Sequence, residues 1–195
     1  MLKYLQYRDK VQDQLAQNRN YERWQDRGLG QHWRNILKSS QALQSTHVLA
    51  WTWVISPAPD LMDLIPEDQR RDLVCELTEY IVEEYYTSRG FEVPEYSFIL
   101  HDRKTGAEDV SEAMQQLHTH VVLPGTAPLA GEDRKAFYNN KERGHDSLFR
   151  KIASRHFSDA LDRIVGPEWQ LRRDEIAADA SPLPLIDDFD TWFPR

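Results

Sequence analysis

One short apolar run carries two histidines, and it constrains the possible fold more than any other stretch of the chain. It reads Leu-His-Thr-His-Val-Val-Leu over residues 117–123 and is followed by Pro124-Gly125. A run rich in β-branched residues and closed by proline predicts a β-strand. Because side chains alternate between the two faces of a strand, His118 and His120 point to one face and Thr119 to the other. This pair supplies half of a metal site.

A second predicted strand ends in a third histidine. Residues 96–101 read Tyr-Ser-Phe-Ile-Leu-His, and polar residues 102–116 separate this run from the first. If the two strands pair antiparallel, His101 meets His118 and His120 at the open end of a hairpin. Three neutral imidazoles in one corner predict a divalent-metal site with coordination positions left for a substrate. The alternative is a chance pair of surface histidines on one strand.

The bulk composition indicates a single folded domain. The chain has 195 residues, 40% of them hydrophobic, and contains six tryptophans, enough to build a core. The single cysteine, Cys75, excludes an internal disulfide framework and is typical of a reducing cytoplasm. No apolar stretch approaches the length of a membrane span. We expect a domain over residues 1–171 and an acidic tail over residues 172–195.

The charge pattern limits the kind of nucleic-acid binding that we expect. The net charge is −8, which disfavours broad nonspecific binding to DNA. Most of the excess acid lies within residues 66–89 and 174–195, however, and basic clusters occur at residues 103–104, 134–135 and 141–155. The sequence therefore leaves room for a small basic groove.

Hydrophobic periodicity predicts alternating helices and strands. Helices are expected over residues 2–17, 33–43, 66–90 and 146–166, with Asp146 as an N-cap and a further helical turn around Tyr21 and Trp24. Strands are expected over residues 47–56 (a central strand), 96–101, 117–123 and 136–140, with a loop at 124–131. Because the histidine hairpin needs antiparallel pairing, the pattern predicts an α+β fold with one mostly antiparallel sheet and helices packed on it.

The order of these motifs resembles the HUH-type relaxases of mobile plasmids, especially their P class. HUH denotes a pair of histidines separated by a hydrophobic residue. The matching segments, which follow one another as they do in the family, are Leu-Lys-Tyr-Leu-Gln-Tyr-Arg-Asp at residues 2–9, Val-Ile-Ser-Pro at 54–57, His-Asp at 101–102, His-Thr-His-Val-Val at 118–122 and Val-Gly-Pro at 165–167. Three features depart from the family: Thr119 replaces the hydrophobic residue, Asp102 directly follows His101, and the spacing between His101 and His118 is longer than usual, with an acidic and polar insert at residues 107–116.

The resemblance implies a relaxase sandwich fold and a site-specific endonuclease and strand transferase. Such an enzyme nicks single-stranded DNA at a transfer origin through a covalent 5′-phosphotyrosine intermediate, and Tyr4 matches the nucleophile. Tyr138, in a Tyr-x-x-Lys motif, is the alternative, in the order found in rolling-circle replication initiators. His101, His118 and His120 would bind Mg²⁺ or Mn²⁺ by resemblance, although three imidazoles favour Zn²⁺ by affinity.

The resemblance also implies partners and a location. The partners would be single-stranded DNA at a nick site and accessory relaxosome or coupling proteins, in the cytoplasm and without membrane insertion. The basic residues expected to contact DNA are Lys3, Arg8, Arg134, Lys135, Lys141 and Arg143.

Two functions from other classes stay open on the sequence. A metal-dependent hydrolase would use an activated water in place of the tyrosine and form no covalent intermediate. A catalytically silent, relaxase-like accessory protein would bind DNA only, which would suit the acidic charge and the short chain.

Overall fold

The computed structural model of the chain describes residues 1–7, 24–104, 115–138 and 144–172. Within these ranges the helices are α1 (Leu2–Tyr7), α2 (Trp33–Ala42), α3 (Pro59–Met62), α4 (Glu67–Thr87) and α5 (His145–Ile164). The strands are β1 (Gln25–Arg27), β2 (Ala50–Ile55), β3 (Tyr96–Lys104), β4 (Gln115–Pro124), β5 (Thr126–Leu129) and β6 (Glu132–Ala136).

Four strands form one antiparallel sheet, and the other two form a small hairpin. The sheet has the order β1-β3-β4-β2, so β3 and β4 are its central pair. Strands β5 and β6 pair with each other directly after β4. This architecture confirms the predicted α+β fold with a mostly antiparallel sheet.

Strand register assigns each side chain to one of two faces. Ile99 of β3 lies opposite His120 of β4, and His101 lies opposite His118. Residues directly opposite each other in antiparallel strands point to the same face. The three histidines therefore share one face, called here the histidine face, while Thr119 points to the other.

Helices cover both faces of the sheet. On the histidine face, α1 and α2 pack through a buried cluster that comprises Leu5, Trp24, Leu29, Ile36, Ile99 and Val122. The opposite face packs against α4 and α5 through a larger aromatic core that includes Tyr85, Tyr86, Phe98, Val121, Leu123, Phe137 and Leu161. The two cores on either side hold β3 and β4 rigidly between them.

A glycine fixes the end of β4. A Cβ atom on Gly125 would lie 1.9 Å from the Val48 carbonyl oxygen and 2.8 Å from the Ser45 backbone nitrogen. Only glycine allows this approach. Its own carbonyl accepts a hydrogen bond from the Phe137 N–H at 3.0 Å, so Gly125 connects the main sheet to the β5–β6 hairpin.

Several predicted elements agree with the structure. Helices α2, α4 and α5 correspond to the predicted helices at residues 33–43, 66–90 and 146–166. The chain turns away after α5 at Gly166, which has φ +102°. The predicted strand pair around the histidines is β3 and β4, each longer than its apolar run.

Other predicted elements were wrong. A helical turn around Tyr21 and Trp24 was expected to end at Gly28, but Gln25–Arg27 form strand β1, which pairs with β3 despite its polar sequence. The strand expected to be central, β2, lies at the sheet edge. The predicted loop after Pro124 contains strand β5. Asp146 lies inside α5, and the N-cap is Gly144.

Two further differences concern short elements. The short helix α3 was not predicted, although Pro59 stands at its first turn, where a missing N–H costs little. The expected strand at residues 136–140 is β6, which ends at Ala136. The rest of the predicted N-terminal helix, together with Tyr21, Arg8, Lys141, Arg143 and tail residues 173–195, lies outside the described residues.

Candidate metal centre

The three predicted histidines converge at the centre of the sheet. His101 lies directly opposite His118 across the β3–β4 pair, and His120 follows two residues later on β4. Their ring centroids are 4.9 to 5.3 Å apart, and one ligand nitrogen from each ring lies within 4.8 Å of the other two. Metal–nitrogen bonds of about 2.1 Å place ligand atoms about 3 to 3.5 Å apart. Small ring movements would therefore complete the site.

The histidine cluster is largely closed to solvent. His101 is fully buried, His118 is 8% exposed and His120 is partly buried. The Nδ1 atom of His101 and the Nε2 atom of His120 are both shielded from water. Buried ring nitrogens suit metal ligation because a metal supplies the strong partner that burial denies them from solvent.

A backbone carbonyl orients the ring of His101. The Nε2 atom of His101 lies 3.0 Å from the carbonyl oxygen of Leu5, on α1. A carbonyl can only accept, so Nε2 carries a proton, and in the neutral imidazole the lone pair is then on Nδ1. Metal-binding histidines commonly donate their second N–H to a carbonyl or carboxylate in this way. No sequence motif could have predicted Leu5, since its contribution comes from the backbone.

The side of the cluster towards β2 is open. Val54 of β2 lies directly opposite His120, on the histidine face. Its side chain is 54% exposed, and Thr52 two residues earlier is exposed as well. On this side β2 is the edge strand of the sheet, so Thr52 and Val54 form the exposed margin of the histidine face.

The backbone of the first predicted nucleophile lies near the histidines. Tyr4 precedes Leu5, so its backbone lies within about 10 Å of the His101 ring by ordinary chain dimensions. Tyr4 is 59% exposed, on the helix whose Leu5 carbonyl contacts His101.

The backbone of the second predicted nucleophile lies elsewhere. The Tyr138 carbonyl accepts a hydrogen bond from Arg89, which follows α4, at 3.0 Å. The neighbouring Phe137 stacks on Tyr86 in the core of the opposite face. Phe137 also bonds to Gly125, five residues beyond His120, or about 17 Å along the strand. The main chain at Tyr138 thus lies beyond the far end of β4.

The described basic residues divide in the same way. Lys3 is exposed on α1, next to Tyr4. Arg134 donates to both carboxylate oxygens of Glu95, at 3.1 and 2.7 Å, and to the Thr126 carbonyl at 3.0 Å. Lys135 forms an ion pair with Glu132. The positive charges of Arg134 and Lys135 are therefore already compensated by Glu95 and Glu132, whereas Lys3 is exposed on the helix whose Leu5 carbonyl contacts His101.

A second group of ionisable residues lies between α4 and α5, on the other face of the sheet. His156 contacts a Glu84 carboxylate oxygen at 2.6 Å and stacks on Tyr80, and Arg163 forms two hydrogen bonds with Glu76 at 2.9 and 3.1 Å. These groups satisfy one another across the helix contact. In the part of the chain that the structure describes, the three-histidine cluster is the group able to hold a metal.

Comparison with protein-family models, with curated proteins and with solved structures found no match to this chain. Over the described ranges, no helix has the length and apolar character needed to cross a membrane. The geometry itself supports a possible metal site formed by His101, His118 and His120 in an α+β fold. The side chain of Asp102, next to His101, lies outside the described residues.

Proposed function

We propose that the protein is a metal-dependent nuclease of the HUH relaxase type, acting on single-stranded DNA with Tyr4 as its nucleophile. The observation that carries the proposal is the convergence of His101, His118 and His120 on the face where the helix bearing Tyr4 packs. The sequence resemblance adds the order of the motifs. The metal would neutralise negative charge on the non-bridging oxygens of the scissile phosphate.

The ligand set suits this chemistry. Three neutral imidazoles leave the full positive charge of the ion available to a phosphate, whereas carboxylate ligands would reduce it. The rigid central strands fix the two ligands on β4 with respect to the ligand on β3. Burial of His101 and His118 keeps competing water from those rings. The open side at Val54 gives DNA a route to the cluster.

In the proposed reaction, the Tyr4 hydroxyl oxygen attacks phosphorus in line with the leaving 3′-oxygen. The phenol proton passes to solvent, the bond between phosphorus and the 3′-oxygen breaks, and that oxygen takes up a proton to become a free 3′-hydroxyl. The 5′-phosphate remains bonded to Tyr4, which preserves the energy of the bond for later rejoining. Exposed Lys3, one residue away, would contact a neighbouring phosphate.

Tyr4 is preferred to Tyr138 because of where the two backbones lie. Tyr4 is carried by the helix whose carbonyl contacts His101, whereas the Tyr138 backbone bonds to Arg89 near the core of the opposite face. The initiator-like mechanism with Tyr138 would need the DNA to reach beyond the far end of β4. Single-stranded DNA and proteins of a relaxosome are the partners that this proposal implies.

Covalent capture tests the proposal. The full-length protein is incubated with Mn²⁺ and a randomised single-stranded oligonucleotide pool, and adducts that survive denaturing gels are collected and sequenced. We expect an adduct with the wild-type protein and none with Tyr4→Phe or His120→Ala. The matched control is Tyr80→Phe, which removes the hydroxyl of an exposed tyrosine on α4 and should leave the adduct unchanged.

The other outcomes identify the competing functions. An adduct that persists in Tyr4→Phe and disappears in Tyr138→Phe would favour the initiator-like enzyme. Metal-dependent cleavage without any adduct would favour a hydrolase that uses water. Binding of the pool without cleavage would favour an accessory protein, and it would contradict the enzymatic proposal.

A further inference from the structure

Three contacts of its described residues hold helix α1 on the sheet. Leu5 is buried in the cluster with Trp24 and Ile36, and the Gln6 side-chain oxygen accepts a hydrogen bond from the Trp33 N–H at 2.8 Å. The third anchor is the Leu5 carbonyl on His101.

This third anchor joins the helix to a residue of the metal centre. The Leu5 carbonyl of α1 accepts this bond from a side chain outside the helix. His101 supplies the N–H, and both groups are buried. The bond has two effects at once, because it fixes α1 on the sheet and also fixes the proton of His101 on Nε2. Nδ1 is then the nitrogen that carries the lone pair.

We propose that α1 is a positioning element of the metal centre, coupling the docking of the N-terminal helix to metal binding through the Leu5–His101 bond. The inference rests on the metal site of the proposed function but does not depend on tyrosine chemistry. It assigns Leu5 and Gln6 roles in metal affinity, although neither side chain is a ligand.

Coupling of this kind is reciprocal. If docking of α1 raises the affinity for the metal, the bound metal must stabilise the docked helix by the same factor. An undocked α1 would leave His101 free to exchange between tautomers and orientations, and a metal would have to select the right one. Loss of a bond to the second nitrogen of a histidine ligand typically weakens metal binding about 10- to 100-fold.

The coupling has a consequence for the nucleophile-bearing segment. Tyr4 adjoins Leu5 on α1, so any ligand that fixes His101 also fixes the backbone that carries the Tyr4 phenol. Metal binding would thus assemble two parts of the site together. The metal-free protein would hold the same helix less firmly.

Isothermal titration of the full-length protein with Zn²⁺ and with Mn²⁺ tests the coupling. Leu5→Ala removes the buried anchor and should weaken metal binding about tenfold. Gln6→Ala removes only the hydrogen bond to Trp33 and should weaken it less, while retaining the fold. The matched control is Ile152→Ala, a core truncation on α5 against the opposite face, which should lower stability without changing metal affinity.

Two measurements without catalysis complete the test. Hydrogen exchange of residues 2–7 should slow on addition of metal in the wild type, and by less in Gln6→Ala. Long-range ¹⁵N NMR of the metal-free protein should find the His101 proton on Nε2. A proton on Nδ1, or wild-type metal affinity in Leu5→Ala, would overturn the coupling while leaving the metal site intact. Wild-type protein that binds neither ion would refute the metal site and the coupling with it.

Discussion

The hydroxyl oxygen of Thr119 lies 2.7 Å from the hydroxyl oxygen of Thr78, directly behind the histidine pair. Both threonines are fully buried. Thr78 donates to the Val74 carbonyl at 2.7 Å within α4, so its single proton is committed and Thr119 must be the donor between the two hydroxyls. This bond joins the strand between His118 and His120 to the long helix on the opposite face. It also accounts for a polar residue between the two histidines on a buried strand face.

The threonine pair makes an asymmetric prediction about stability. Thr78→Val leaves the buried Thr119 hydroxyl without its acceptor and should cost about 1–3 kcal/mol, whereas Thr119→Val leaves Thr78 bonded to Val74 and should cost about 1 kcal/mol. The double substitution buries two apolar groups and should cost less than the sum. A double-mutant cycle by urea denaturation measures the difference. Additive single costs would contradict the hydrogen bond itself, and a larger cost for Thr119→Val than for Thr78→Val would contradict the assigned donor.

The histidine site was predictable because it depends on two strong local signals. Alternation along a strand fixes His118 and His120 on one face, and two adjacent apolar runs that pair antiparallel bring His101 opposite them. The hairpin register found in the structure differs little from the one that the apolar runs imply, with His101 facing His118. The pattern of apolar residues predicts the two strands, and the pairing of these strands positions the three histidines.

The parts that the sequence did not predict depend on distant partners. Strand β1 has the sequence Gln-Asp-Arg, which lacks a β-type pattern. It forms because its backbone pairs antiparallel with β3. The hydrogen bond from His101 goes to a backbone carbonyl, which every residue possesses, so nothing in the sequence of α1 indicates it. The position of β2 at the sheet edge is a matter of topology, which apolar runs alone do not determine.

Removal of each histidine should test the ligand set. His101→Ala, His118→Ala and His120→Ala should each lower the affinity for Zn²⁺ by at least tenfold, because each deletes one of three ligands. His156→Ala is the matched control, since this histidine is held by Glu84 on the other face and should not affect binding. Titration calorimetry measures all four variants. Equal losses in all four would indicate nonspecific binding.

Metal preference forms a separate prediction. An all-imidazole set favours late first-row metals, so the metal-free protein should bind Zn²⁺ more tightly than Mn²⁺ and Mn²⁺ more tightly than Mg²⁺. Competition titrations with a chromogenic chelator give this order. A site that preferred Mg²⁺ would point to additional oxygen ligands outside the three histidines.

Arg134 offers a test of the sequence-based assignment of DNA contacts. Its guanidinium binds Glu95 and Thr126. Arg134→Gln should therefore lower the free energy of unfolding by about 1 kcal/mol, which is the upper end of the range for partly exposed ion pairs. We expect its affinity for single-stranded DNA to match the wild type. Lys3→Gln should instead weaken binding without a change in stability. Fluorescence anisotropy at low salt measures the affinity of both variants for single-stranded DNA. A larger loss of affinity in Arg134→Gln than in Lys3→Gln would support Arg134 as a DNA contact.

Cys75 predicts how stability depends on alkaline pH. Burial, aided by the negative charge of Asp72, raises the pKa of its thiol from 9.0 to about 11. The folded state therefore holds the thiol proton more tightly than the unfolded state. This contribution to stability is fully present below pH 9 and is lost as the pH rises towards 11, because the unfolded chain ionises first. Cys75→Ala lacks the group, so the difference in unfolding free energy between the wild type and this variant should shrink or reverse across that window. Urea denaturation of both proteins at several pH values measures this difference. Because the two proteins share all other groups that titrate in this range, the contributions of those groups to the free energy of unfolding cancel.

The thiol of Cys75 should also react slowly with iodoacetamide at neutral pH, because thiolate is scarce. A pH-independent difference between the two proteins, together with rapid alkylation, would show that Cys75 is not shielded by α4 and its neighbours.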